Sequence, residues 1–555
     1  MASNKQKNDN KVFQESISFH QSGDLINAQK GFEYLIAKYP KSTDLLNSLG
    51  TLNLQINEGQ KGCSLLEKSL HINPNQPMIC FNLGNFYADQ KKFSKALEFL
   101  KITITKAPDN IEAYIKKGEI LTDLKIHDEA IDCFKKALKI NPENLKIING
   151  IGVNLLELGQ ANEALKYFKE CIKINKTIAV FYNNSGLAEY KLNNFKESID
   201  NFNQCINKSP STGYFYSNRG LSFQALKDYN LAMQDFNQCI SISPEYPESY
   251  WNKSLLNLFQ GNYEDGWKFY EYRWQSFAKN WARSYPKKLW LGNATIKNKI
   301  IFIYPEQGHG DFIQCYRYIA LLKELRPKKI ILEVTEPFYK LINIQNNDIE
   351  VIGPDMQTPK FDLYCPIMSL PLALKTEISN IPNKSPYLFP DLEGSREWKG
   401  KFKKSKQLKI GVCWFGNKLH KNDHNRSMPF SNLSELISLP MEFHSLQKGM
   451  THKDQKTIKK TGLVDHQDSL KDFSDTASLV SMMDIIISVD TVIAHLAGAL
   501  GKKTFLLLPD NSSFLWMEKR KKSPWYPTIK IFRQAALGDW KTPMKEIIRE
   551  LKLEC

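Results

Sequence analysis

The sequence predicts a two-part fold, an α-solenoid followed by an α/β region of two Rossmann-like halves. Two observations carry this. Gly50, Gly84, Gly118, Gly152, Gly186 and Gly220 recur at a strict 34-residue step, and two further ladders keep the same step: Pro40, Pro74, Pro108, Pro142, Lys176, Pro210, Pro244, and Ala28, Gly62, Ala96, Ala130, Ala164, Ser198, Ala232. From Lys299 the ladders are gone, and short apolar runs alternate with helical stretches instead. A fixed long period means that each repeat buries its apolar face only against its neighbours. Short apolar strands separated by helices mean parallel sheets.

Within the repeat, small side chains at two fixed points let two helices approach closely, and proline ends the second helix. Between these marks the apolar spacing is helical, as in Phe93, Ala96, Leu97 and Leu100. The unit is a helix–turn–helix that resembles the tetratricopeptide repeat (TPR) over residues 11–285, behind a tail at residues 1–10 expected to be disordered. The resemblance implies a curved superhelix whose concave face holds a protein or peptide. After Trp251 the pattern decays: Ser254 replaces the ladder glycine, Gly266 replaces the ladder alanine, and the aromatic run GWKFYEYRW is expected to cap the solenoid. Residues 286–298 read as a connector.

Composition narrows the function classes. No run of 18 apolar residues is present, so no membrane-spanning helix is expected. The opening MASNKQKNDNK has no apolar segment of the kind a secretory signal needs. The net charge of +16 invites a nucleic-acid reading, but the lysines are scattered over helix faces, and their densest run, Lys399–Lys409, falls where a linker is expected. That run reads as a solvated linker, with anionic substrates or peripheral association with a membrane surface as the other readings. Cys171, Cys205 and Cys239 repeat at the 34-residue step and read as small core residues, and no zinc-type cysteine or histidine spacing occurs. Free thiols without an export signal point to the cytoplasm.

Strands are expected at residues 300–304, 329–334, 350–352 and 361–365, and again at 409–414, 442–446, 484–489, 504–508 and 529–532. This gives an N-terminal half at 299–395, a basic linker at 396–408 and a C-terminal half at 409–555, a GT-B-type layout. Ligands of such sheets bind beyond the carboxyl ends of the strands, so three strand-to-helix loops matter most. In the first, Gly308 and Gly310 permit close backbone approach, and Asp311 either caps the next helix or acts on a ligand. The second, residues 415–429, offers Asn417, His420, Lys421, Asn422, Asn425 and Arg426 as donors suited to a diphosphate. A metal at His420 and His424 has no third ligand near it in sequence. The third runs Asp490, Thr491 and on to His495 and Gly498. It opens a helix whose first N–H groups form an anion site, with Asp490 as a plain N-cap or as a partner for sugar hydroxyls.

The stretches EQGHGDFIQCYRY (306–318), NDHNRS (422–427), FHSLQKG (443–449), SVDTVIAHLAGALGKK (488–503) and SPWYPTIKIFRQ…GDW (523–540) together resemble glycosyltransferase family 9, the heptosyltransferase-like group, fused behind TPR repeats. The layout is also similar to protein O-GlcNAc transferases. The resemblance implies Asp311 as catalytic base, Arg426 against the donor diphosphate, and Asp490, Thr491 and His495 on donor phosphates and sugar. It also implies Gln447 and Lys448 near the nucleoside, with Asn417 on the donor side. Gly308, Gly310 and Trp516 would line the donor loop, and Asp475 sits beside the same site. Residues 509–516 depart from the family's usual Asp-Trp-Arg-Trp-like run and keep only Trp516, and His309 stands where a smaller or aliphatic residue is commoner. The implied activity is transfer of a sugar from a nucleotide-diphosphate sugar to a hydroxyl acceptor, inverting and without a metal or other cofactor. The rival reading is a TPR scaffold whose transferase-like half is inactive. Nucleic-acid binding lacks any supporting motif.

Overall fold

In the computed structural model, residues 2–306, 308–402, 405–418, 420 and 422–554 are described, and the chain divides into two compact units, residues 1–222 and 223–555. The first unit is built from consecutive helix pairs, such as Ile111–Asp123 with His127–Ile140 and Leu145–Glu157 with Ala161–Ile174. The glycine ladder sets how closely each pair packs. A Cβ placed on Gly50, Gly84, Gly118, Gly152 or Gly186 would lie 2.6, 2.9, 2.8, 2.5 or 2.8 Å from the side chain of Leu66, Leu100, Phe134, Phe168 or Phe202 respectively. The small-residue ladder faces the same seam, and Ala28, Ala96, Ala130, Ala164 and Ser198 are wholly buried. Each second helix stops two residues before the proline register, at Lys38, Ile72, Lys106 and Ile140.

A further ladder emerges only in three dimensions. Gly23, Asn57, Lys91, Lys125, Gly159, Asn193, Lys227 and Gly261, again 34 apart, all take positive φ at the turn between the two helices of a repeat. Only three of the eight are glycine, which is why composition did not expose it.

Three expected boundaries change. Residues 2–10 are not a tail but the start of the helix Ala2–Ser22, where Asp9 meets Lys38 at 2.7 Å and accepts from Tyr39 at 2.9 Å. The expected basic linker begins inside the helix Leu392–Lys401, whose Trp398 is buried in the core. The solenoid, expected to run to residue 285, groups its last helices Tyr229–Ile242, Pro247–Gln260 and Tyr263–Tyr270 with the second unit. The aromatic cap explains this: Tyr263, Trp267 and Tyr270 share one core with Trp525 and Trp516. Ser254 and Gly266 meet as the decayed repeat predicts, the serine hydroxyl donating to the Gly266 carbonyl at 2.9 Å.

The second unit holds two parallel five-stranded sheets. Strands β1 (Lys288–Leu289), β2 (Ile300–Tyr304), β3 (Lys329–Glu333), β4 (Glu350–Ile352) and β5 (Leu363–Pro366) are ordered β1-β5-β2-β3-β4. Strands β6 (Lys409–Cys413), β7 (Glu442–Ser445), β8 (Ile485–Val489), β9 (Lys503–Leu508) and β10 (Ile529–Arg533) are ordered β10-β9-β8-β6-β7. All nine expected strands are present within two residues of their predicted bounds, and the connector adds β1 at the edge, paired with β5. In the first sheet the chain order reverses between β2 and β5, in the second between β6 and β8. Those are the switch points beyond which ligands of such sheets bind.

Candidate functional site

All three predicted loops leave strands that flank the switch points, β2, β6 and β8. The first opens the helix His309–Tyr316, with Gly308 at its N-cap (φ 98°). Asp311 is therefore not the cap; it sits in the first turn, half-buried, and a Cβ on Gly308 would lie 2.2 Å from its Oδ2. The missing side chain is what gives the carboxylate its place. Gly310 is equally crowded, its Cβ position lying 2.8 Å from Cδ2 of His495. The first and third loops are thus in direct contact.

The third loop opens the helix Val492–Ala499, whose N-cap is Thr491 and not Asp490. The Thr491 hydroxyl turns inward to Ser488 at 3.1 Å and Cys413 at 3.6 Å, leaving its backbone as the feature it offers a ligand. The first N–H groups of such a helix have no intrahelical partner and carry the positive end of its dipole. His495 lies one turn in, 5% exposed, its Nδ1 2.9 Å from the Tyr526 hydroxyl. Burial, reinforced by Arg317, lowers its pKa to about 3 and keeps the ring neutral.

The second loop supplies Arg426. Its NH1 donates to the Asp490 carbonyl at 3.4 Å, its Nε reaches Asp423 at 3.4 Å, and its guanidinium fills the space where a Gly416 side chain would be, 2.6 Å from that Cβ position. Sequence reading passed over Gly416, which is the cradle for this arginine. Asn417 is exposed on the same loop, and Lys421 lies outside the described residues.

The charges converge on Asp311. Burial pushes its pKa up to about 7, the carboxylates of Glu306 and Asp490 add to the rise, and Arg426 opposes it. Asp490 is also raised by burial, against the pull of Trp516 and Arg426. Trp516 is wholly buried, its ring centroid 5.4 Å from that of His495, and its indole N–H is directed at the Asp490 carboxylate. Asp311 and His420 open into a cavity of about 330 Å³ walled by Trp251, Phe259, Tyr270 and Phe514 and rimmed by Asp510 and Asn511.

Three other predicted residues make contacts within the protein. Gln447 is buried with its amide turned inward: its Oε1 accepts from the N–H groups of Trp414 and Phe415 at 3.1 Å each, and its Nε2 donates to the carbonyls of Phe415 and Lys448. It braces the backbone after β6. Lys448 is exposed and donates to the Lys471 carbonyl. Asp475 accepts from the Lys471 N–H in the first turn of the helix Phe473–Ser481, a local structural bond. Among the described residues no three His, Cys, Asp or Glu side chains are grouped as a metal site.

Comparison with known proteins fixes one part of the identity. The tetratricopeptide repeat profile matches residues 111–144, and a second profile of the same description matches 145–178 and 214–246. The N-terminal region carries tetratricopeptide repeats. A curated relative, protein FlbA of Caulobacter vibrioides, is 23% identical over 326 residues, covering 54% of this chain; the chain spans 54% of that protein's length. Similar solved structures include a tetratricopeptide repeat protein from Parabacteroides merdae (19% identity, 45% of this chain and 99% of that one, TM-score 0.36). Another is YrrB, described as a TPR protein with an unusual peptide-binding site (20%, 34% and 98%, TM-score 0.30). No helix among the described residues is long and apolar enough to cross a membrane.

Proposed function

We propose that the second unit is a glycosyltransferase of GT-B architecture that moves a sugar from a nucleotide-diphosphate sugar to a hydroxyl acceptor, while the TPR repeats hold a protein or peptide partner. One observation carries the reading: Asp311, Arg426 and the helix that follows Asp490 come from three loops on two sheets and meet at the switch points.

The chemistry follows from their properties. A carboxylate with a pKa near 7 is half ionised at neutral pH and is a competent general base. Asp311 takes the acceptor hydroxyl proton as that oxygen bonds to the anomeric carbon and the bond from that carbon to the diphosphate oxygen breaks. A single displacement inverts the anomeric centre. Negative charge grows on the leaving diphosphate, where Arg426 and the N-terminus of the helix Val492–Ala499 supply positive charge. Neutral His495 stands beside it. The cavity beyond Asp311 is where the acceptor hydroxyl would approach.

The test is a thermal-shift panel with UDP, GDP, ADP, CMP and dTDP on the full chain and on Arg426→Ala. A nucleotide at 100 times its Kd adds about 2.7 kcal/mol to the wild type. The expected outcome is one nucleotide that stabilises the wild type and not the variant. No shift with any of the five would overturn the transferase reading in favour of a TPR scaffold.

A further inference from the structure

Arg273 lies outside all three loops and every motif that carries the transferase resemblance. It sits in the 3-10 turn Glu271–Trp274, directly after the aromatic capping helix Tyr263–Tyr270, and is 1% exposed. All five guanidinium N–H groups are used. Nε and NH2 form a fork on Glu306, at 2.7 Å to Oε2 and 2.9 Å to Oε1. NH2 also reaches the Ser369 hydroxyl at 2.7 Å, and NH1 donates to Glu271 at 2.7 Å and to the Tyr270 carbonyl at 3.2 Å. The plane is held between the rings of Tyr270 and Trp274, 4.8 and 4.5 Å from their centroids. Glu306 is fixed from a third side by the Met368 N–H at 3.1 Å.

Glu306 belongs to the turn that leaves β2 and reaches Asp311 five residues later, so the arginine grips the base-carrying loop at its root. A buried bidentate arginine costs more in desolvation than an apolar packing solution would, so attaching a cap to a sheet does not by itself call for one. It does fix both the direction of a turn and the charge next to a carboxylate. Glu306 is the carboxylate that acts most strongly on Asp311, ahead of Asp490, and Arg273 is the cation facing Glu306.

We propose that Arg273 is a positioning residue for Asp311: its fork on Glu306 fixes the β2 turn and sets where the Glu306 carboxylate sits beside the base, so that the aromatic cap of the repeat array governs how Asp311 is held. This rests on the reading of Asp311 as base, but its test does not depend on turnover.

The experiment uses the full chain as wild type, Arg273→Lys, Arg273→Gln and Glu306→Gln, each with and without Asp311→Asn. Urea unfolding is followed by tryptophan fluorescence between pH 4 and 9. The folded pKa of Asp311 lies above its unfolded value, so each protein that keeps Asp311 loses stability relative to its Asp311→Asn counterpart as pH rises from about 4. The difference levels off above the folded pKa, about 7 in the wild type. The groups facing Asp311 are Glu306, Asp490, Arg426, Tyr270 and Cys315. Removing the Arg273 charge leaves Glu306 bare, so Arg273→Gln should move that inflection up by about one pH unit, and Glu306→Gln should move it down by a similar amount. Arg273→Lys keeps the charge without the fork and should leave the inflection near the wild-type pH. If Arg273→Gln does not fold, Glu306→Gln and Arg273→Lys carry the test. An inflection at one pH in all the variants would overturn the proposal and leave Arg273 as a structural clip. Shifted inflections in a protein that binds no nucleotide would sink the transferase reading and leave the hold on Asp311 standing.

Discussion

The two units solve the same problem of close approach in opposite ways. In the first, the ladder contacts are local and repeated: a glycine meets a large side chain sixteen residues on, and the next repeat does the same. In the second, the tight contacts follow no period and each occurs once: Gly310 meets His495, Gly416 meets Arg426, and Gly308 makes room for Asp311. A glycine in the repeats therefore protects stability, while a glycine in the α/β loops protects the placement of a charge. The chain also carries its own probe of the difference, because all ten tryptophans lie between Trp251 and Trp540 and report on the second unit alone.

The largest expected effect tests the placement of charge. Asp311→Asn should lower sugar transfer by about 10²–10⁴-fold, the usual contribution of a general base, with nucleotide-induced stabilisation unchanged. Turnover equal to wild type would remove Asp311 from the mechanism.

The next concerns His495, held neutral by burial with a pKa of about 3. Its folded value lies below its unfolded one, so the stability it confers is present above about pH 6.5 and drains away as pH falls towards 3. The loss is on the order of 5 kcal/mol across that window. Acid titration of tryptophan fluorescence in wild type and His495→Gln checks it: the variant should show a shallower decline, and parallel curves would mean that the ring is already protonated in the fold.

A smaller effect should appear in the repeats. Gly152→Val forces bulk into the Phe168 ring and should destabilise the first unit by about 1–3 kcal/mol. Circular dichroism should register an earlier helical transition while tryptophan fluorescence keeps its midpoint. Coincident shifts in both signals would show that the two units unfold together.

The smallest is a gain. Lys125 holds φ at 60° in the inter-helix turn, a conformation that an L side chain takes at a cost of about 1–2 kcal/mol. Lys125→Gly should stabilise the first unit by a few tenths of a kcal/mol to about 1 kcal/mol, since glycine's extra unfolded-state freedom offsets part of the relief. A lower melting midpoint would mean that the lysine stem packs usefully there.

The sequence alone determined the repeat period, the helix pairs, the nine strands and the three loops that matter, because each is written in local periodicity or in strand-to-helix junctions. It also singled out Asp311, Arg426, Asp490, Thr491 and His495. The tertiary structure decided what those residues face. Gln447 turned inward because the chain after β6 needed its N–H groups satisfied, and Thr491 rather than Asp490 became the helix cap. Asp311 acquired its raised pKa from burial and from Glu306 and Asp490, neighbours 5 and 179 residues away in the chain. The left-handed turn ladder and the Arg273–Glu306 fork were likewise invisible: the first is a backbone angle shared by lysine, asparagine and glycine, and the second joins residues 33 apart that no period relates. Local sequence sets which segments become helix or strand; burial and long-range charge arise only when distant segments meet.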